Sequence, residues 1–381
     1  MVLKASKWSL LWPILVLALL PLAVGYFVYP NHLPPGFGEF PPQLVERAPF
    51  FWLPYFVLVA VLATLILTMY FFPKLFGFKG VDPEPVTPSS AKYPWWFFAG
   101  GVLMVISWWL MWARPESLAN FVPYAFSPLW WGFIVMLDGI VYKRNDGASF
   151  MSTKPGSMVI CAIVSLVGWT FFEYFDYFVK ESWFYPNMEV LSHELTVLVF
   201  LIAYTTVWPA VFEWYNLLNT FPKLVARYQN GPKLKINGKF VVLLGYVLMI
   251  GMVIWPLPLF WAVWVGPTLV FIGVLLMCNI KSPLDGLALG NWAPALLIML
   301  ACFLNGFIWE AWNYGSTHPI DPVMNPNYWV YNIPYVNVIH IFSEMPLLGY
   351  FGYMPFGILV WQFYIWAGEL CGFNSDIVVR K

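Results

Sequence analysis

Two short acidic motifs in this chain have residue types and spacings suited to acid–base chemistry. In the first, Glu173 and Asp176 stand three residues apart, and in the second Glu310 and Asn313 have the same spacing. Residues three apart share one face of a helix, so each pair can act on one ligand. Both motifs lie in strongly apolar surroundings, where an ionisable group is costly unless it is paired, hydrated or metal-bound. These four residues are therefore the candidate catalytic groups.

Two pairs of histidine and glutamate residues follow the acidic motifs along the chain. His193 and Glu194 come after the first motif, and His340 and Glu344 come after the second. Imidazole and carboxylate groups on facing helices can hold one or two metal ions. A divalent or dinuclear metal is therefore a candidate cofactor, with these four residues as its predicted ligands. The alternative is that they are solvated groups at helix ends near the membrane surface.

The composition indicates that the elements positioning these groups are membrane helices. Hydrophobic residues make up 61% of the chain and charged residues 10%, against about 25% charged residues in an average soluble domain. Apolar runs long enough to span about 30 Å of hydrocarbon occur near 9–28, 50–72, 94–113, 126–142, 156–175, 190–218, 240–257, 260–279, 291–312 and 337–370. We predict an all-α, polytopic integral membrane protein with about ten transmembrane helices. The zero net charge argues against nucleic acid as a partner.

The distribution of basic residues predicts the orientation of these helices. With the N-terminus in the cytoplasm, sixteen of the 19 Lys and Arg residues fall in cytoplasmic segments. The three exceptions are Arg47, Arg114 and Lys180. Basic residues concentrate on the cytoplasmic side of membrane proteins. We therefore predict a multi-pass protein of the cytoplasmic (inner) membrane, with both termini cytoplasmic and both acidic motifs near the outer face.

Three other acidic residues fall towards the predicted cytoplasmic ends of their helices. They are Asp138, Glu213 and Glu369. Glu213 lies four residues after Pro209, where a proline-broken backbone can hold a polar group. We interpret all three as structural residues.

The acidic motifs belong to a longer internal repeat. The strings FEYFDY at 172–177 and WEAWNY at 309–314 align, and each is followed by a second aromatic group with a proline, at 183–186 and 329–334. The matched motifs lie four spans apart, so both copies have the same orientation in the membrane, which predicts parallel repeats of four helices. The predicted domains are 1–93 with two helices and a cytoplasmic loop, 94–239 with the first repeat, and 240–381 with the second.

The tenth apolar run is longer than a spanning helix needs to be. It covers 337–370 and contains Pro346 and Pro355. Because proline breaks a helix interior, we expect one part of this run to lie along the outer surface and the other part to span. Broken backbone at membrane depth is tolerated where protein or a water-filled cavity surrounds it, so this run also favours a cavity.

The aromatic content exceeds what belts at the two membrane surfaces require. The chain contains 23 tryptophans, and aromatic residues make up 20% of it. We therefore expect some rings to line an internal cavity or to contact a flat, apolar ligand. The predicted cofactor-binding or pocket-lining residues are Trp169, Trp309, Trp312 and Trp329. Their π faces would stabilise a positive charge on a ligand.

Several strings resemble an uncharacterised family of bacterial polytopic membrane proteins. They are FSPLWWGFIVMLDGIVY at 126–142, FFEYFDYF at 171–178, WEAWNY at 309–314, WVYNIPY at 329–335 and EMPLLGYFGYMPFG at 344–357. This family carries no established activity to transfer. The chain is also similar to membrane-embedded carotenoid cyclases and hydratases in its helical, aromatic-rich character and its carboxylates near helix ends. That likeness implies isoprenoid chemistry, although the PxEE-type element of the cyclases is absent.

Two functions from different classes fit these patterns. The first is a membrane-embedded enzyme acting on an apolar isoprenoid or lipid substrate near the outer face, with Glu173 and Glu310 as an acid/base pair. The second is a non-catalytic membrane subunit that binds quinone, carotenoid or pigment and anchors partners in a larger respiratory or photosynthetic complex. The expected partners are membrane lipid, an apolar small molecule and, for the second function, other membrane subunits.

Overall fold

The computed structural model describes residues 6–85, 89–317 and 324–379, and this part of the chain is almost entirely helical. Its α-helices are α1 Lys7–Val28, α2 Leu53–Phe71, α3 Trp95–Ala113, α4 Phe126–Arg144, α5 Phe150–Thr153, α6 Pro155–Asp176, α7 His193–Tyr204, α8 Val207–Asn219, α9 Pro222–Arg227, α10 Gly238–Ile254, α11 Ala262–Met277, α12 Ala293–Thr317 and α13 Tyr353–Cys371. Two short strands, β1 Trp183–Phe184 and β2 Val330–Tyr331, pair with each other. The predicted all-α class is confirmed.

Six helical segments in the described ranges are long and apolar enough to cross a membrane. They are Lys7–Val28, Leu53–Phe71, Trp95–Ala113, Pro155–Val179, His193–Asn219 and Ala293–Ser316. A seventh arises if α4 is taken together with the 3-10 helix Glu116–Tyr124, which it meets at an angle of 68°. The helices α10 and α11 are apolar but have only 17 and 16 residues. Each predicted apolar run therefore contains a helix, but the count of ten spans stays a prediction.

The surface of the long helices is apolar, as a lipid environment requires. On α2, the side chains of Leu58 and Leu62 are 56% and 50% exposed. On α3, Val102 and Trp109 are also more than half exposed. A soluble protein rarely leaves so much contiguous apolar surface in water. The structure thus fits a multi-pass membrane protein.

Glycines allow two helical hairpins to pack closely. In the α3–α4 hairpin, a Cβ atom on Gly132 would lie 2.5 Å from the amide nitrogen of Met104. In the α10–α11 hairpin, a Cβ atom on Gly245 would lie 2.7 Å from the carbonyl oxygen of Gly266. Small residues at such interfaces let the backbones of membrane helices approach each other. Both hairpins consequently depend on glycine at their crossing points.

The sixth and tenth apolar runs are both interrupted. The sixth consists of α7 and α8, separated at residues 205–206. In the tenth, the α-helix begins only at Tyr353, and residues 337–348 contain no helix. There the chain turns back on itself, with an isolated bridge between His340 and Pro346. The expected interruption is present. The part of the run before α13 is irregular backbone and not a helix along the surface, because proline disfavours helix on its N-terminal side.

The connecting segments form two hydrogen-bonded layers. One layer joins residues 29–52, 177–192 and 324–348 through the bonds Gln43 Nε2 to Tyr185 O, Ala48 N to Asn332 Oδ1, and Asn332 Nδ2 to Lys180 O. The other joins residues 72–94, 144–155, 220–237, 278–292 and the C-terminal tail. Its contacts are the hydrogen bonds from Lys79 N to Asn230 O, from Gly231 N to Gly290 O and from Ser90 N to Asp146 Oδ1, and the Lys154–Asp376 ion pair. The connecting segments at each of these two ends of the bundle are thus held together by hydrogen bonds.

Candidate binding cavity

Glu173 accepts four side-chain hydrogen bonds inside the protein. It lies in the last turn of α6 and is 1% exposed. The indole nitrogens of Trp169 and Trp183 donate to its carboxylate at 2.8 Å and 3.2 Å. The hydroxyls of Tyr185 and Tyr204 donate at 2.6 Å and 2.9 Å. Indole N–H groups can only donate and an ionised carboxylate only accepts, so this arrangement suits the ionised form.

Glu310 occupies a related environment near the end of α12. The hydroxyls of Tyr331 and Tyr353 both donate to its Oε1 at 2.7 Å. The indole of Trp329 donates in turn to the Tyr331 hydroxyl at 2.7 Å. The carboxylate is fully buried, and its Oε2 has no hydrogen-bond partner of ordinary geometry, although the Ser343 hydroxyl lies close enough to interact. Glu310 therefore has fewer donors than Glu173.

The second member of each acidic motif faces the segment that follows it. The Asn313 side chain donates to the carbonyl of Trp329 at 2.8 Å and accepts from the amide of Trp329 at 3.1 Å. Asp176 is fully buried beside the amides of Ser182 and Trp183, but neither carboxyl oxygen makes a hydrogen bond of ordinary geometry. Asn313 is thus a positioning residue for the backbone of Trp329. Nothing in these contacts gives Asp176 or Asn313 access to a ligand.

The two strands connect the surroundings of the two carboxylates. β1 and β2 pair antiparallel, with Trp183 opposite Tyr331 and Phe184 opposite Val330. Trp183 donates to Glu173, and Tyr331 donates to Glu310. One strand pair therefore fixes a donor of each carboxylate relative to the other.

A cavity of about 510 Å³ lies against these rings. All six side chains that donate to Glu173 or Glu310 line it: Trp169, Trp183, Tyr185, Tyr204, Tyr331 and Tyr353. A second part of its wall comes from α2, through Leu58, Leu62 and Ile66. Ligand pockets usually enclose about 300–1,000 Å³ behind mostly apolar walls. The cavity has the size and character of a site for an apolar molecule.

Tilted and stacked aromatic rings link the two carboxylate environments. The ring centroids of Trp169 and Trp309 lie 6.3 Å apart, and those of Trp309 and Tyr353 lie 5.6 Å apart. On the other side, the ring of Trp183 stacks on Trp264 at 5.2 Å. Such aromatic contacts favour one relative arrangement of the rings, so the cavity wall is held in a single geometry.

Neither Glu173 nor Glu310 is itself a wall residue of the cavity. Their hydrogen-bonded rings separate the carboxylates from the space that a ligand would occupy. Burial, followed by the nearby charge of Glu173, raises the pKa of the Tyr185 hydroxyl well above its usual value, and Tyr331 beside Glu310 behaves in the same way. These hydroxyls therefore stay protonated as donors. Any acid–base role of the two glutamates must pass through them.

Three of the four predicted pocket tryptophans line the cavity and one does not. Trp169, Trp309 and Trp329 contribute to the wall. Trp312 is not among the wall residues, and its ring packs against Trp130 and Phe133 of α4 with centroid distances of 4.6 Å and 5.3 Å. The contacts with α4 place this ring behind the cavity wall.

The predicted metal ligands do not form one cluster. His193 and Glu194 are exposed at the start of α7. His340 Nδ1 hydrogen-bonds the carbonyl of Ser343, and Glu344 accepts from the Tyr328 hydroxyl at 2.8 Å. Residues 6–85, 89–317 and 324–379 contain no group of three or more His, Cys, Asp or Glu side chains placed to hold a metal ion. The metal centre therefore has no support from the geometry.

A second buried acidic pair lies away from the cavity wall. Asp138 accepts hydrogen bonds from the Trp96 indole at 2.9 Å, the Ser149 hydroxyl at 2.8 Å and the Met151 amide at 2.8 Å. These bonds fasten α3 and the short helix α5 to α4. Glu213 is buried next to Asp138. The contacts of Asp138 agree with its interpretation as a structural residue.

Sequence reasoning missed the tyrosine donors and the contribution of α2. The aromatic group that follows each acidic motif, WFY at 183–185 and WVY at 329–331, was a visible signal for Tyr185 and Tyr331. Tyr204 and Tyr353 had no comparable signal. α2 has no polar motif, so no pattern linked it to the site. The chain matches no family model, no curated protein and no solved structure.

Proposed function

We propose that this chain is a membrane-embedded enzyme that takes an apolar lipid or isoprenoid molecule into the aromatic cavity. The observation that carries the proposal is that all six side chains hydrogen-bonded to Glu173 and Glu310 line that cavity. A buried carboxylate behind a tyrosine hydroxyl makes a proton relay. The hydroxyl oxygen takes a proton from the ligand while its own proton moves to the carboxylate.

The ligand would enter sideways from the bilayer, past α2. The leucines of α2 that line the cavity are also half-exposed on the apolar surface. Tyrosine hydroxyls attach the two ends of this helix, Tyr55 to the Pro258 carbonyl at 3.1 Å and Tyr70 to the Leu296 carbonyl at 2.7 Å. Between these attachments Leu58, Leu62 and Ile66 of α2 line the cavity. Such an entrance favours molecules dissolved in lipid over molecules dissolved in water.

A non-catalytic subunit that binds quinone, carotenoid or pigment is the second candidate. The observation that favours it is the position of both carboxylates behind the rings, out of contact with a ligand. In this function the glutamates only hold the rings in place. Partner proteins in a larger complex would then supply the chemistry.

Lipid mass spectrometry of cells with and without the protein separates the two functions. An enzyme produces a lipid species that disappears in Tyr185→Phe and Tyr353→Phe, which keep the rings and lose the hydroxyls. A binding subunit carries the same unmodified ligand through purification in the wild type and in both variants. Tyr246→Phe is the matched control, because that hydroxyl bonds Pro13 away from the cavity. An unchanged lipid profile and no extracted ligand would count against both functions.

We also propose ten membrane spans, with both termini on the cytoplasmic side of the inner membrane. The two loop layers support this topology, because the four connecting segments and the C-terminal tail that the basic-residue pattern assigns to the cytoplasm bond within one layer, and residues 29–52, 177–192 and 324–348 bond within the other. Single cysteines in 29–49 and 178–189 should react with an impermeant maleimide added to intact cells. Cysteines in 220–239 should not, and their labelling would overturn the topology.

A parallel repeat completes the proposed architecture. In it, the four spans predicted in residues 94–239 correspond to the four spans predicted in residues 240–381. Gly132 and Gly139 on α4 contact α3 seven residues apart, and Gly266 and Gly273 on α11 contact α10 with the same spacing. In addition, the middle residues of the two aromatic strings, Phe184 and Val330, lie opposite each other in the strand pair. Twofold-related halves place corresponding residues in this way. An experimental structure in which Glu173 does not superpose on Glu310 after such a rotation would refute the repeat.

A further inference from the structure

The interior of the protein has many more buried acidic groups than basic ones. Six carboxylates are buried in the described part of the chain: Asp138, Glu173, Asp176, Glu181, Glu213 and Glu310. Among the same residues one basic side chain is buried, Arg114, and its guanidinium donates to main-chain carbonyls of Met111 and Gly315. Buried charges are normally paired or coordinated. This imbalance requires either bound protons or a cation from outside the chain.

A cation from outside the chain would meet this excess of buried acidic groups in the cavity. Glu173 and Glu310 make no salt bridge with any described residue, and only aromatic side chains separate them from the cavity. Their partners donate N–H and O–H groups to the carboxylates, which shifts electron density towards the ring faces. Aromatic faces attract cations, and several rings around one space form the usual cage for quaternary ammonium groups.

The remaining wall limits what the cation can be attached to. The wall residues in the described part of the chain include no Lys, Arg or His that would bind a phosphate. Apart from Tyr55, the wall from α2 consists of aliphatic side chains. The complementary molecule therefore has a positive group for the rings and a hydrocarbon body for α2, without an anionic group between them.

We infer that the cavity selects a lipid-soluble amine, in which a quaternary or protonated ammonium group sits among the aromatic rings in front of Glu173 and Glu310. This inference rests on the proposed binding function of the cavity and names its ligand class. The two carboxylates supply the compensating charge, and the ring faces make the direct contacts. The hydrocarbon part of the ligand lies against α2.

Saturable quenching of tryptophan fluorescence tests the selection. The full chain, purified in a neutral detergent, is titrated with three probes brominated in the chain: an octadecyltrimethylammonium ion, octadecanol and a phosphatidylcholine. We expect the ammonium probe to bind at least tenfold more tightly than the alcohol, about 1.4 kcal/mol. We also expect the zwitterionic phospholipid to bind more weakly than the ammonium probe. Unbrominated octadecyltrimethylammonium should reverse the quenching.

Matched variants test the role of the carboxylates. Glu310→Gln and Glu173→Gln should each reduce the preference for ammonium over alcohol at least threefold, whereas Glu369→Gln, an exposed carboxylate on α13, should leave it unchanged. If Glu173→Gln does not fold, Glu310→Gln is sufficient for the test. This substitution can replace Oε2 of Glu310, which accepts no hydrogen bond of ordinary geometry.

The outcomes distinguish the two levels of the argument. If neither ammonium nor alcohol quenches saturably, the cavity does not bind lipid and the proposed function fails. If both bind equally, the binding function stands and the selection of an amine is wrong. A preference that persists in both glutamine variants, or tighter binding of the phospholipid, also overturns the inference.

Discussion

Replacing Glu173 and Glu310 with glutamine, one at a time, gives the most direct test of how the two carboxylates are held. The substitution preserves shape and turns one carboxylate oxygen into an NH₂ group. At Glu173 both oxygens accept hydrogen bonds, Oε2 from the Trp183 indole and Oε1 from three other donors. At Glu310 only Oε1 accepts, from two tyrosines. The same chemical change therefore has different consequences.

The magnitude follows from the donors that lose a partner. In Glu173→Gln the amide oxygen can keep the three bonds at Oε1, but the new NH₂ group faces the Trp183 indole N–H. A buried donor without a partner costs about 1–3 kcal/mol, and the other bonds lose charge assistance, which roughly doubles the strength of a neutral bond. We expect the free energy of unfolding to fall by about 2–4 kcal/mol. In Glu310→Gln the NH₂ group replaces an oxygen that accepts no hydrogen bond of ordinary geometry, so the loss should be about 1 kcal/mol.

Unfolding in mixed micelles with increasing sodium dodecyl sulfate, followed by circular dichroism, measures this difference. The exposed Glu369→Gln variant serves as the control for changing one charge. The double variant Glu173→Gln with Trp183→Phe removes the displaced indole donor and should recover part of the loss. Equal losses in the two single variants would refute the account, because they would mean that the number of donors does not determine the stability of the site.

Three further changes probe the hairpins, the strand and the outer loops. Gly132→Ala should destabilise the protein by about 1–3 kcal/mol in thermal unfolding, because its Cβ would lie 2.5 Å from a main-chain nitrogen of α3; Gly156→Ala, with nothing within 4 Å, should have no such effect. Asn313→Ala removes both side-chain bonds to the Trp329 backbone, costing about 2 kcal/mol, and should speed hydrogen exchange of that amide; unchanged exchange would contradict the positioning role. Burial raises the pKa of Glu181 from 4.5 to about 7. The packing of the loop around Glu181 should therefore be fully stable below pH 4.5 and should weaken as the pH rises through about 7. Proteolysis of 177–192 should accelerate over that interval in the wild type and not in Glu181→Gln.

Part of the candidate site could be predicted from residue types and spacing. Glu173 and Glu310 stood out because charged groups inside apolar helices are costly and therefore rarely accidental. Trp169 lies four residues before Glu173, a spacing that places both on one helix face, and the structure joins them by a hydrogen bond. The interruption of the tenth run followed from its prolines. All of these inferences rest on interactions between residues close in sequence.

The other assignments depended on how helices face each other, which the sequence does not give. Trp309 and Trp312 are only three residues apart, yet the first lines the cavity and the second packs against Trp130. His193 and Glu194 have suitable chemistry for a metal but lie exposed at a helix start, and the described residues place no group of three metal-binding side chains there. Helical periodicity gives the relative directions of side chains on one helix. It does not say which residues of the neighbouring helices those side chains contact.

By itself, the sequence determined that this is a helical, membrane-type protein with two similar acidic motifs, since apolar run length and the cost of buried charge are local properties. Only the tertiary structure decided that Tyr204 and Tyr353, from helices distant in sequence, donate to those carboxylates and screen them from the cavity. It also decided that α2, with no polar motif, forms part of the cavity wall. A cavity is the space left between packed elements, so its walls depend on long-range contacts that no spacing within one segment encodes.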